Sequence, residues 1–251
     1  MEQNKAAHAP ERIRFEIKRR VITVSAVFDI TPRMRRITFT CADLGGFQSP
    51  SPDDHIKLFF GKEPSGEDCM RDYTPRYFDI ERGFLVIDFA LHEAGVATGW
   101  AKTAKVGDSI EVAGPRGSVV VPDDYDFYLL IGDETALPAI GRRLEALRPD
   151  VPVKTVCIVQ SAAEVQKFHT RAAVEESWVY RKGSGVDDAQ LVLSALDKWK
   201  APAGEGYVWI AAEARVARTL KTYMLTERNH PATWLKSAGY WIEGAAGESE
   251  K

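Results

Sequence analysis

At 251 residues, with 45% hydrophobic and 27% charged residues, the chain carries apolar material for two ordinary domains that fold without disulfide or metal staples. A formal net charge of -3 gives no overall attraction to nucleic acid, and no apolar run reaches the roughly 18 residues of a membrane-spanning helix. Cys41, Cys69 and Cys157 are far apart, odd in number and without metal-ligand spacing, and the first residues form no apolar leader; a soluble cytoplasmic protein, taken as a monomer with no membrane partner, is expected.

Residues 1–11 are polar and expected to fray. Over residues 1–36, nine Lys and Arg stand against four Asp and Glu, which reads either as a charged strand edge that resists aggregation or as a face for an anion. The β-branched alternation from Arg20 to Ile30 predicts a strand, a Thr31-Pro32 turn follows, and Met34 to Thr40 is a second strand. Gly45-Gly46 and Ser49 to Asp54 are loop chemistry, His55 to Phe60 a strand, and Gly61 to Asp68 a polar loop.

The densest chemistry comes next. Arg71-Asp72-Tyr73-Thr74-Pro75-Arg76-Tyr77-Phe78-Asp79 packs two guanidiniums, two phenols and a hydroxyl ahead of the apolar strand Phe84 to His92. Alternation would put Arg71 and Tyr73 on one face, with Thr74 and Arg76 on the other unless Pro75 bends the chain. That places a cation suited to phosphate beside a flat ring suited to a flat ligand; a half-buried strand with arginines at its rim is the plainer alternative. A helix over Gly95 to Ala104 follows, small residues first, so its unpaired N–H groups could meet a phosphate. Ser109 to Ala113 is a closing strand, and Gly114 to Ser118 a tight turn with Arg116 at its tip. These elements predict an antiparallel Greek-key β-barrel over residues 12–123.

After Asp124 the periodicity changes. Phe127 to Gly132 is continuously apolar, as for a strand buried on both faces. A helix over Thr135 to Leu147, a strand over Val153 to Val159, a short strand Trp178 to Tyr180, a helix over Ala189 to Trp199, a strand Tyr207 to Ala211 and a helix over Ala214 to Arg228 follow. Alternating strand and helix predicts a parallel-sheet α/β domain over residues 125–251 that binds ligands at the carboxyl ends of its strands. Gly132-Asp133-Glu134-Thr135 stands at such a strand end. It lacks the later glycines of the dinucleotide fingerprint, and a capped helix would explain Asp133 and Thr135 equally well.

Five segments in order carry a resemblance: Arg71 to Arg76, His92 to Ala101, Gly132 to Ile140, Trp209 to Glu213 and Gly239 to Trp241. Together they resemble the siderophore-interacting protein family, FAD-dependent ferric-siderophore reductases related to the ferredoxin-NADP reductases, over about residues 15–244. The resemblance implies FAD in the barrel and NADPH or NADH at the second domain as electron donor. It makes Arg71 a partner of the FAD pyrophosphate, Tyr73 a ring packed on the flavin and Thr74 the donor near flavin N5, these last two being the catalytic candidates. Asp88, His92, Gly95, Ala97 and Thr98 fall to the flavin site, with Gly95-Val96 where the family commonly has Gly-Pro. Gly132, Glu134 and Thr135 fall to the nucleotide pyrophosphate, Ala212 and Glu213 to the nicotinamide, and Tyr240 and Trp241 to the aromatic ending beside the flavin or the substrate channel. Arg181 and Lys182 are candidates for a 2'-phosphate. Lys57 and Arg116 are the candidate cations for an anionic ferric chelate, and Ile242-Glu243-Gly244 stands where many members place a third base.

The implied reaction passes hydride from NAD(P)H to the flavin and single electrons to Fe(III), which needs no nucleophile triad or carboxylate pair, and none is evident. A ferredoxin as donor, a non-catalytic siderophore-binding protein, and a general flavin or quinone reductase are the competing expectations.

Overall fold

The structure, a computed structural model, describes residues 8–92, 95–245 and 249. Residues 1–7 of the stretch expected to fray, and Glu93 and Ala94 of the segment leading into the first helix, lie outside the described residues.

The first half contains β1 (Glu11–Arg14), β2 (Arg19–Thr31), β3 (Met34–Thr40), β4 (Ile56–Lys62), β5 (Asp68–Tyr73), β6 (Pro75–Asp79), β7 (Phe84–Ala90), α1 (Val96–Thr103), β8 (Ser109–Ala113) and β9 (Gly117–Val120). Seven of these strands make one antiparallel sheet in the order β5-β4-β8-β2-β3-β7-β6. Alternation decides which side chains enter: Ile22 and Val24 of β2, Ile37 and Phe39 of β3, and Leu85, Ile87 and Phe89 of β7 fill one core, while Val21 faces out. The jumps from β3 to β4 and from β7 through α1 to β8 pass over neighbours, as in a Greek key. Strands β5 and β6 are the two edges of this sheet, yet only Thr74 separates them. The sheet must therefore curl until its edges meet at that residue. Arg71 and Arg76 consequently belong to different strands, and the break lies where Pro75, unable to donate to a ladder, opens β6.

The second half contains β10 (Phe127–Gly132), α2 (Leu137–Ala146), β11 (Pro152–Val159), β12 (Ala173–Tyr180), α3 (Asp188–Leu196), β13 (Gly206–Glu213), α4 (Ala214–Thr226) and β14 (Leu235–Trp241). Its five strands are parallel in the order β12-β11-β10-β13-β14. Every residue of β10 and β13 is buried, as their continuous apolar runs require. The chain winds outward from β10 to β12 and returns to β13 on the other side, so the topological switch lies between β10 and β13. No helix among the described residues is long and apolar enough to cross a membrane.

Three expectations are corrected. Of the stretch expected to fray, residues 8–11 are held: β1 pairs with β9 from Glu11 on, and His8 stacks on Tyr125 at 3.9 Å while its two ring nitrogens each lie 2.7 Å from a carboxylate, of Asp124 and Glu205. The strand expected at Trp178 to Tyr180 begins at Ala173, where pairing with the buried β11 outweighs the polarity of Glu175 and Glu176. Residues 235–241, to which the sequence reading gave no element, are a fifth strand.

Loop 49–54 joins the halves. The Arg142 guanidinium of α2 donates to the carbonyl and hydroxyl oxygens of Ser49, Asp53 pairs with Lys236 of β14 and accepts from Trp209 Nε1 at 3.1 Å, and Asp54 accepts from Ser118. Glu164 adds bonds to the Thr31 hydroxyl at 2.6 Å and the Arg33 N–H at 3.0 Å. Arg76 pairs with Glu145 of α2.

Candidate functional site

A cavity of about 720 Å³ lies between the meeting edges of the curled sheet and the carboxyl ends of β10 and β14. On the barrel side, Arg71, Tyr73 and Thr74 line it at the crossing from β5 to β6. The Arg71 Nη1 donates to the Met70 carbonyl at 2.7 Å and lies 3.8 Å from Glu63; among the described residues its Nε and Nη2 have no partner. The Tyr73 ring packs on Phe89 at 4.6 Å, and burial pushes its phenol well above the ordinary value. Thr74 is 7% exposed. No described residue hydrogen-bonds its hydroxyl or the Tyr73 phenol.

The next wall is the start of α1. Gly95, at φ 129, takes a backbone conformation that side chains rarely adopt, and nothing lies within 4 Å of where a Cβ would stand. No described residue caps the helix with a side chain, and its first turn borders the cavity at Ala97 and Thr98. His92 lies across from them; burial draws its imidazole below the ordinary value, with Arg181, Arg33 and Lys102 adding to this against Asp133. Asp88 is at the cavity floor, but its carboxylate is taken by the Arg36 fork through two bonds of 2.7 Å.

On the sheet side, polar groups satisfy one another. Glu134 faces the cavity and pairs with Arg181, which also grips Asp188 at 2.9 Å; burial and neighbouring Asp133 raise the Glu134 carboxyl despite the guanidinium. Thr135 donates both its N–H and its hydroxyl to Asp133. From β14 come Tyr240, whose phenol burial pushes far up, and Trp241. Among the described residues no three His, Cys, Asp or Glu cluster as metal ligands.

Guanidinium nitrogens and helix N–H groups for an anion, beside rings and a hydroxyl for a flat polar ligand, none of them paired among the described residues, fit FAD. Two sequence profiles match the chain: that of the siderophore-interacting FAD-binding domain at residues 23–68 and 63–119, and that of the siderophore-interacting protein at residues 125–244. An NADPH-dependent ferric-chelate reductase of Escherichia coli (strain K12) is 35% identical over 95% of this chain and 98% of its own length. The chain belongs to the siderophore-interacting protein family. A siderophore utilization protein from T. fusca, in its crystal structure, superposes with a TM-score of 0.86 at 35% identity, covering 95% of this chain and 98% of that one. The siderophore-interacting protein of Aeromonas hydrophila shares the fold at a TM-score of 0.77 and 24% identity, over 91% and 93% of the two chains.

Of the sequence-predicted residues, this siderophore-interacting protein brings together Lys57, Arg71, Tyr73, Thr74, Asp88, His92, Gly95, Ala97, Thr98, Glu134, Thr135, Tyr240 and Trp241 on one cavity. Six stand outside its lining, Arg181 and Lys182 among them. A Cβ on Gly132 would come 2.5 Å from the Ala136 side chain and 2.9 Å from the Ala211 carbonyl, so the glycine serves strand packing. Ala212 is buried in the sheet core, and Glu213 caps α4 by accepting from Arg215 and Val216. Arg116 is exposed elsewhere. The structure also supplies a cation that the sequence reading missed: Lys236 lines the cavity, held by Asp53, whose carboxyl burial would raise but the ammonium keeps at about 2. Reading residues 235–241 as a strand ending at Trp241 would have put Lys236 beside the other ligand-facing groups.

Proposed function

We propose that this chain is an FAD-dependent ferric-siderophore reductase driven by NADPH, with residues 12–123 holding the flavin and residues 125–251 receiving the donor. The observation that carries the reading is the two-sided cavity, with ligand-ready polar groups on the barrel wall and parallel strand ends opposite; the name of the Escherichia coli relative supports it. Bound there, FAD would take a hydride from NADPH and pass electrons singly to Fe(III), a division that no side chain can perform.

The chain's own residues do the rest. Arg71 and the start of α1 bind the pyrophosphate, because a guanidinium fork and uncapped N–H groups both favour an anion. Tyr73 packs the flat ring system, and Thr74, fixed by the strand crossing, offers it a hydroxyl. Lys57, paired with Asp72 at 2.8 Å and half exposed, and Lys236 give the cavity cations that draw in an anionic ferric chelate. Iron(II) binds hard oxygen ligands more weakly than iron(III), so the reduced metal leaves the chelate.

Three free, buried cysteines support work in the reducing cytoplasm, and we take the chain as a monomer. The test is the visible spectrum of the purified protein. A flavin spectrum should bleach with NADPH and recover on adding ferric chelate, with Fe(II) captured by a ferrous-specific dye. Bleaching by reduced ferredoxin instead would replace the donor, and a protein that stays colourless after FAD is added would end the reading.

A further inference from the structure

Asp133 is fully buried at the end of β10 and makes more bonds than a helix cap needs. Its Oδ1 accepts from the Thr135 N–H at 2.9 Å and hydroxyl at 2.5 Å, which suffices to shape the turn into α2. Its Oδ2 accepts from the Glu213 N–H at 3.0 Å, at the end of β13, and from Trp241 Nε1 at 2.8 Å, at the end of β14. One carboxylate thus ties three neighbouring strand ends. One of its four donors is the indole that lines the cavity, bounded by His92 at 6.1 Å between ring centroids.

We propose that Asp133 is a positioning residue acting through Trp241: it fixes the angle of the indole on the cavity wall and couples that angle to the turn bearing Glu134 and Thr135. The proposal rests on reading this cavity as the flavin site. The indole N–H is the only polar atom of that side chain, so the bond to a buried carboxylate is what holds the ring against rotation about its side-chain torsions. Hydrogen bonds to charged groups are among the stronger ones in proteins.

Two variants divide the claim. Trp241→Phe keeps an aromatic ring and deletes the N–H, while Asp133→Asn keeps the size and removes one acceptor. In proton–nitrogen NMR spectra of the wild-type protein, the Trp241 indole N–H, assigned by its loss in W241F, should exchange slowly with solvent, and about tenfold faster in D133N. FAD titrated into apoprotein should bind about tenfold more weakly to each variant, and the double variant should be no worse than the weaker single one, because both cut the same link. Additive losses, or an indole N–H that exchanges as fast as an exposed one in the wild type, would overturn the proposal. Should D133N not fold, wild-type exchange and W241F affinity still decide it. Wild-type protein that takes up no FAD would sink the cofactor reading and this one with it; unchanged FAD affinity in both variants would sink the positioning role alone.

Discussion

On the barrel wall of the cavity the Thr74 hydroxyl, the Tyr73 phenol and two Arg71 nitrogens meet no partner among the described residues, and α1 begins without a cap. On the sheet wall Glu134 holds Arg181, Asp133 holds Thr135 and Trp241, and Glu213 closes α4. These barrel-wall groups face the cavity and stay open to a ligand that brings the matching donors and acceptors. A wall that satisfies itself when empty suits a ligand that comes and goes. On the reading proposed above, the barrel wall would hold the resident cofactor and the sheet wall, apart from the Trp241 ring that Asp133 sets, would meet the visiting donor.

Removing a ligand-ready group should hurt most. Arg71→Ala is expected to weaken FAD binding about 100-fold, the scale of losing charge-assisted bonds to phosphate, while leaving the thermal melt of the apoprotein nearly unchanged. Flavin fluorescence titration measures it, and an apoprotein that melts much lower would mean that Arg71 serves the fold. Lys236→Ala strands the Asp53 carboxylate, whose side chain is buried, and should cost about 3 kcal/mol in urea unfolding at pH 7. Because the folded Asp53 carboxyl is held low, at about 2, its contribution is present above the ordinary carboxylate range and fades as pH falls through about 2. In K236A, where burial is no longer offset by the ammonium, this acid-dependent loss should shrink.

A smaller effect tests the sheet wall. Glu134→Gln removes one of the two carboxylates competing for Arg181 and should lower the KM for NADPH by about threefold with kcat unchanged. A raised KM would make Glu134 a contact of the donor and blur the contrast between the walls. The smallest effect lies outside the cavity. Burial works against a charge on His8, but its bonds to Asp124 and Glu205 prevail and raise its pKa, so the clamp contributes below about pH 6.5 and fades as pH rises through the raised value. His8→Gln should lower the melting temperature at pH 6 and leave it unchanged at pH 9.

Both sheets were legible because their strands follow two simple rules, alternation in β2 and β3 and unbroken apolar runs in β10 and β13. The strand β14 was not, since Lys236-Ser237-Ala238-Gly239 lacks β-branched residues and becomes a strand only through pairing with β13. β1 escaped for the same reason, its partner β9 lying far along the chain. In the cavity, the local cluster Arg71, Tyr73, Thr74 could be read from nine consecutive residues. The pairings Asp53 with Lys236 and Asp133 with Trp241 join distant positions, and no local pattern announces them. Arg181 reads from the sequence as a solvated base or a candidate for a 2'-phosphate, because its two carboxylate partners, Glu134 and Asp188, are brought to it only by the fold.

The loop 49–54 is bonded at once to α2, β13 and β14 and ties the two halves together at that point. Such a tie would resist one half swinging away from the other, and an enzyme held in this way would not select its substrate by closing around it. Chelates of different bulk should then differ in how readily they reach the opening, with little difference in how firmly they are held once there, and turnover should track encounter frequency more than grip.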